Sequence, residues 1–183
     1  MIATERLILR RWEERDRAPF HAICSDPQVM ETLGPVMTRP QSDGLIDWLN
    51  GHVDRVGYSF WAIERREDGA LLGFCGLNPG AEGTPIEGQV EIGWRLGRSH
   101  WGQGYAREAA QANLDWAWVR GIDTVVAITT PGNVRSWGLM ERLGMRPVPG
   151  GAFAHPAAIE RLRAHITYRI DRPVVKPLES GHG

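Results

Sequence analysis

From Gln89 to Leu114 the chain reads QVEIGWRLGRSHWGQGYAREAAQANL, and this stretch limits the fold more than any other. Val90, Ile92 and Trp94 alternate with Glu91, Gly93 and Arg95, which predicts a strand over Gln89–Leu96 with two unlike faces. Gly93 inside that strand predicts a bulge or a close approach by another backbone. Beyond Gly104, Ala106, Ala110 and Leu114 recur on one side of a predicted helix, with Ala109, Asn113 and Ala117 beside them. The helix runs to about Arg120, where Gly121 ends it. Its small residues let it lie close against a sheet. A strand that passes through a glycine turn into such a helix belongs to a mixed α/β architecture.

The turn itself, Trp101–Ala106 (WGQGYA), carries a chemical suggestion. The first amides of a helix have no internal partner, and the helix dipole adds partial positive charge there. Glycines let the backbone approach a ligand and adopt dihedrals that other residues avoid. Together these form a cradle for a phosphate or pyrophosphate. A plain strand-to-helix turn is the competing reading of this stretch alone. A dinucleotide fingerprint would need a small residue where Arg107 stands, and no Gly-Lys-Ser/Thr follows to make a P-loop.

The remaining pattern is consistent with one domain over 1–172, followed by a loose tail at 173–183. Thr4–Trp12 reads as a strand around Leu7 and Leu9. Arg15–Leu33 is helical, split by Pro27. Gln41–Val56 is a helix with Leu45, Ile46, Trp48, Leu49 and Val53 as its apolar positions. Ser59–Glu67 and Ala70–Leu77 are strands joined at Asp68-Gly69, a strong hairpin signal. Asn78–Gly88 is a loop, Thr124–Thr130 a buried strand, and Asn133 caps a helix that ends near Leu143 before Gly144. Met145–Val148 and His165–Ile170 are the last strands, with an irregular segment between them that has room for a short helix. The expectation is a mixed, mostly antiparallel sheet of about seven strands flanked by about four helices.

Composition removes several classes. The net charge of −1 gives no general attraction for nucleic acid. The apolar runs are too short for a membrane helix or, at the N-terminus, a secretory signal. The two cysteines are distant in sequence and read as reduced, buried thiols. The six histidines show no metal-binding spacing. A cytoplasmic protein without metal, nucleic-acid or membrane partners is expected. The oligomeric state is left open, with a homodimer among the options.

A second stretch, NVRSWGLMERLGM at 133–145, is mostly explained by helix formation, with Leu139, Met140 and Leu143 as its core face. Ser136 is the exception, since folding has no obvious use for its hydroxyl. In order, TERLILRRW, QVEIGWRL, SHWGQGYAREAA, the N-x-x-S-x-x-x-M-E-R-L-G-M segment and HITYRI resemble the GNAT acetyltransferases. More closely they resemble the branch of RimJ/RimL-like ribosomal-protein N-terminal acetyltransferases. The likeness extends from about Thr4 to Ile170.

In that family a Q/R-x-x-G-x-G/A loop holds the pyrophosphate of acetyl-coenzyme A. The pattern falls on Trp101, Gly104 and Ala106, with Gly102, Gln103 and Tyr105 between them. Trp101 departs from the usual Gln/Arg, which removes a side-chain contact and leaves the amides. The resemblance further implies that the backbone of Trp94, Arg95 and Leu96 pairs with the pantetheine arm. Asn133 would contact the cofactor and Ser136 would sit near its sulfur. Acetyl-CoA would be the cosubstrate, with no metal.

The implied reaction is direct attack by an amine on the thioester in a ternary complex. An amide freed near Gly93–Trp94 could face the thioester oxygen. Glu91 is the candidate base, with a solvated strand-face carboxylate as the other reading; Ser136 could donate to the departing sulfur. An α-amine, of ordinary pKa about 7.7–8.0, asks less of a base than a lysine amine at about 10.4. A protein N-terminus or small amine is therefore the expected acceptor. Its site is expected between the first helices and the hairpin, with Trp48, Phe60, Trp61 and Trp94 available to line it. His155-Pro156 lies in the late irregular segment, where relatives in this branch often carry an acidic residue and this chain has Ala152 and Ala154. Two other readings remain: a non-catalytic acyl-CoA-binding regulatory module and a nucleotide-binding domain. Thiol release with an amine and stabilisation by NAD or ATP would distinguish them.

Overall fold

A computed structural model of the protein describes residues 1–174. Strands β1 (Ile2–Ala3) and β2 (Leu7–Arg10) are followed by α1 (Arg17–Cys24), α2 (Pro27–Met30) and α3 (Arg39–Val56). Then come β3 (Phe60–Arg65), β4 (Leu71–Pro79), β5 (Val90–Leu96), α4 (Tyr105–Val119) and β6 (Thr124–Thr129). The chain continues through α5 (Val134–Arg142), β7 (Arg146–Pro147), β8 (Phe153–Ala154) and β9 (Ala164–Asp171). Apart from Pro173 and Val174, the tail expected at 173–183 lies outside the described residues.

The fold class is as expected, with more pieces. The described residues hold nine strands and five helices. Two of the extra strands, β1 and β8, are two residues long and too short to show a period of two. The sheet runs β1-β2-β3-β4-β5-β6-β9-β7, with β8 on β9. Every pairing is antiparallel except β5 with β6.

Local chemistry sets the helix ends. Asp26 accepts from the Gln28 amide at 2.8 Å and Pro27 opens α2, so the proline that breaks the first helix starts the next. Thr38 and Gln41 form a capping box that starts α3 two residues before the expected Gln41. The hairpin also differs in detail. The Arg65 amide donates to the Ala70 carbonyl, which leaves a four-residue loop, not a two-residue one, with Asp68 and Gly69 at its end.

Two apolar layers cover the two faces of the sheet. On one face Leu7, Leu9, Trp61, Ile63, Leu72, Cys75, Leu77, Ile92 and Leu96 meet α4 and α5. There α4 presents Ala109, Ala110, Asn113, Leu114 and Ala117, all fully buried, so small side chains bring the helix down on the strands. On the other face Trp12, Phe20, Cys24, Ile46, Leu49, Ala62 and Phe74 pack α1 and α3. Trp48, expected on the buried face of α3, is 47% exposed and stacks on His52. Both cysteines are buried free thiols.

One buried ion pair pins the start of α1 to the sheet. The Arg10 guanidinium donates to both Asp16 oxygens at 2.7 and 2.9 Å, and its Nε donates to Glu64 at 2.7 Å. Removing one partner of such a pair strands the other charge. Asp16→Ala is therefore expected to destabilise the protein by about 3–5 kcal/mol. Urea denaturation would measure this as a lower midpoint at unchanged slope.

Candidate active site

Past Leu96 the chain makes a 3-10 turn at Arg98–His100 and enters the glycine loop. The Trp101 indole Nε1 donates to the Leu96 carbonyl at 2.9 Å, and Gln103 Nε2 donates to the Ser99 carbonyl at 2.7 Å. These two bonds fold the loop back on the end of β5. Gly102 and Gly104 have φ of +73° and +83°, the left-handed region that favours glycine. Gly104 is the N-cap of α4. From Gly102 to Arg107 no backbone amide has an acceptor among the described residues. A run of free donors at a helix N-terminus suits the pyrophosphate of acetyl-CoA. Tyr105 instead turns its ring into the core, and Ala106 packs against it.

The loop is braced from the far end of the chain. Glu108 accepts from Thr4 Oγ1 at 2.6 Å, from the Arg6 amide at 2.9 Å and from Arg6 Nε at 2.7 Å. Arg6 Nη1 reaches on to the Gln103 carbonyl at 3.0 Å, and its guanidinium lies 4.6 Å over the Tyr105 ring. Burial raises the Glu108 carboxyl, but the bonds from Thr4 and Arg6 outweigh it and hold the group below the usual carboxylate range. Sequence reasoning missed Arg6 and Glu108 because about 100 residues separate the partners. The one visible signal was an acidic residue in the first turn of α4.

Beside the loop runs a slot. Strand β5 is fully paired with β4, from Val90 opposite Pro79 to Leu96 opposite Gly73. Toward β6 it pairs only at Glu91 opposite Val126. Past that point the β6-facing backbone groups of Trp94 and Leu96 have no strand partner, whereas those of Arg95, expected on the same edge, face β4 in the antiparallel ladder. The expected bulge at Gly93 is absent: Gly93 sits in regular register opposite Gly76. The close neighbour is also not backbone. A Cβ at Gly93 would stand 2.9 Å from the Phe60 ring. Free amides in this region thus come from the divergence of two strands.

The second helix opens at the same end. Asn133 Oδ1 accepts from the Ser136 amide at 3.3 Å, so its side chain caps α5. Ser136 is half-buried in that first turn. Arg135 sets its guanidinium 4.5 Å over the Trp101 ring and joins the two helix starts.

Glu91 is half-buried on its face of β5. Burial alone pushes its carboxyl up to about 7. The proposed acceptor lining does not hold together. Phe60 shares the face of Gly93, while Trp61 and Trp94 point into the α4 side, where Trp61 is core. His155 lines a different cavity, of about 170 Å³, with Thr32, Thr130 and His165. Among the described residues no cluster could hold a metal ion, and no helix is long and apolar enough to cross a membrane.

Known proteins resemble this chain in sequence and fold. The chain is 36% identical to YkkB of Bacillus subtilis (strain 168) over 148 residues, 79% of this chain and 84% of YkkB. Its fold is similar to that of a GNAT-family acetyltransferase from Bacillus anthracis, at TM-score 0.78 and 25% identity, covering 93% of this chain and 97% of that one. It is also similar to RimL, a ribosomal L7/L12 alpha-N-protein acetyltransferase in complex with coenzyme A. That likeness has TM-score 0.75 and 19% identity, over 92% and 95% of the two chains. The family model for the acetyltransferase (GNAT) domain matches residues 6–146, and the chain belongs to that family.

Proposed function

We propose that this protein moves the acetyl group of acetyl-CoA to a primary amine, by direct attack within a ternary complex. The observation that carries the reading is Glu91: a half-buried carboxyl raised to about 7, placed at the one paired position before β5 and β6 diverge. Such a group is a poor structural ion and a good base near neutral pH.

Acetyl-CoA supplies the activated acyl carbon. The free amides of Gly102–Arg107 hold its pyrophosphate, and the unpaired edge of Trp94 and Leu96 takes the pantetheine arm. Asn133 and Ser136 lie toward its sulfur. Glu91 removes the surplus proton from the ammonium form of the acceptor, directly or through a water. The amine nitrogen then bonds to the acyl carbon, the carbon–sulfur bond breaks, and the nitrogen's proton ends on the sulfur, with Ser136 as the relay. The geometry contributes alignment and fixed hydrogen-bond donors, which together make up much of the rate in such transfers.

A base near 7 lies about one unit below an α-amine and more than three below lysine. This favours a protein N-terminus or a small α-amine. RimL, which shares the fold and is described with coenzyme A, acts on a protein α-amine and agrees with that choice.

The direct test is thiol release from acetyl-CoA across N-terminal peptides, amino acids, polyamines and aminoglycosides. Gly104→Val places a branched side chain at a φ of +83° in an exposed loop. It is expected to weaken acetyl-CoA binding at least tenfold in calorimetry, with little change in melting temperature.

Glu91→Gln is expected to lower kcat/KM about 100-fold and to remove the limb of the pH–rate profile that rises through about 7. An unchanged profile would dismiss Glu91 as the base. The same variant has a stability signature. A carboxyl raised above its unfolded value of 4.5 stabilises the fold while protonated, and that contribution disappears as pH rises through about 7. Wild type should therefore lose stability between pH 4.5 and 7 relative to Glu91→Gln, on the order of 3 kcal/mol.

A further inference from the structure

One charge on the Glu91 face of β5 has no counter-ion. Arg95 is half-buried there, with its guanidinium carbon 5.3 Å from the centre of the Phe74 ring. Its Nη1 donates to Cys24 Sγ at 3.2 Å and Met37 Sδ at 3.7 Å, and its Nε is buried without a partner. Thioether and thiol sulfurs are weak acceptors, and an aromatic face does not neutralise a full charge. Arg10 shows how this protein shelters a guanidinium for structural purposes: two oxygens of Asp16 and one of Glu64 surround it. Among the described residues no carboxylate does this for Arg95. A sheltered, unpaired cation is costly, and keeping one points to an anion that arrives from outside.

A second unpartnered polar group lies just past the end of β6. Glu91 and Val126 are direct neighbours on parallel strands. Arg95 lies four residues past that position on β5, and Thr130 follows the last residue of β6 at the same end of the sheet. Thr130 is 6% exposed, its Oγ1 is buried without a partner, and it lines the cavity shared with Thr32, His155 and His165. Arg95 Nε and Thr130 Oγ1 are thus two buried donors without partners near the end of the β5–β6 pairing.

The phosphates of acetyl-CoA are the wrong anion for this position. Their cradle is the start of α4, which packs against the opposite face of the sheet. We propose that Arg95, assisted by Thr130, binds a carboxylate carried by the amine acceptor. The inference rests on the acetyltransferase reading and specifies its substrate class. About 13 Å of strand separates Glu91 from Arg95, a distance that the two long side chains and an acceptor lying between them span together. The carboxylate has two sources: a free amino acid, or an acidic residue at the start of a peptide.

Reaction products test this without turnover and without the confounding titration of an amine. N-acetylglycine, N-acetylalanine, N-acetylglutamate and N-acetylmethionine are titrated calorimetrically into the full chain with CoA, each beside its neutral carboxamide. A second arm uses N-acetylated, C-terminally amidated tripeptides with Asp, Glu or Gln at the first or second position. The expected result is at least tenfold tighter binding of a carboxylate than of its neutral match. Preference in the first arm names a free amino acid, and preference confined to the second names an acidic N-terminus. Arg95→Gln should erase the preference, Arg95→Lys should keep part of it, and the affinity for CoA should be unchanged in both.

No preference in either arm, or a preference that survives Arg95→Gln, would overturn the proposal. So would a selective loss of CoA affinity in Arg95→Gln at an unchanged melting temperature, which would reassign the arginine to the cofactor. Should Arg95→Gln not fold, Thr130→Val and Arg95→Lys carry the same comparison, and unchanged selectivity in both overturns it. Failure of wild-type protein to bind CoA at all would defeat the acetyltransferase reading, a result distinct from the loss of carboxylate preference.

Discussion

Strands β5 and β6 run parallel and pair at a single register position, Glu91 against Val126. The site is built from the way that pairing starts and stops. Parallel neighbours cannot be joined by a tight turn, so the chain must cross over the sheet, and it does so through α4. The crossover puts a helix N-terminus at the C-terminal end of β5, where the glycine loop leaves its amides free. β6 leaves at the same end through Thr130-Pro131-Gly132 and opens α5. Two helix starts therefore face one slot, linked by Arg135 over Trp101. A ladder zipped to its full length would have closed the slot and satisfied the very groups that make it useful.

The same strand keeps two kinds of surface apart. Ile92 and Leu96 anchor β5 in the α4 layer, while Glu91, Gly93 and Arg95 lie on the reverse. Gly93 has no side chain because Phe60 occupies the space, stacked 5.0 Å from Phe74. That aromatic pair covers Gly93 on this face of β5. It also explains why a period-two reading of the strand located the faces correctly and still misjudged the glycine. The pattern says that a small residue is required; it does not say whether backbone or a ring demands it.

Much of the fold was legible because it is written in local signals. Pro27 divided the first helix, Gly121 and Gly144 ended two others in the left-handed region, and the alternation of QVEIGWRL held in the sheet. The glycine loop was legible for the same reason, since its φ values and free amides are properties of a few consecutive residues. What escaped depends on distant partners. The brace from Thr4 and Arg6 to Glu108 joins segments about 100 residues apart, and nothing in either segment names the other. The tryptophans misled for a related reason: Trp61 and Phe60 are adjacent in sequence and on opposite faces of β3, so a list of aromatics is not a pocket. Two-residue strands such as β8 arise only once β9 offers an edge to pair with.

Glu91 and Arg95 also explain each other's state. Four residues along a strand place their backbones about 13 Å apart, too far for a direct ion pair. Burial is the sole influence on the Glu91 carboxyl, so the arginine does not lower it. Had the two groups been brought together, each would have neutralised the other: the carboxylate would have become too weak a base, and the guanidinium would have had no need of a ligand. Held apart on one face with Gly93 between them, one stays near the pKa of an α-amine and the other keeps its charge free. A site that must take a proton from one end of a molecule and hold an anion at the other requires that separation, and a straight, regularly paired strand is the simplest scaffold that enforces it.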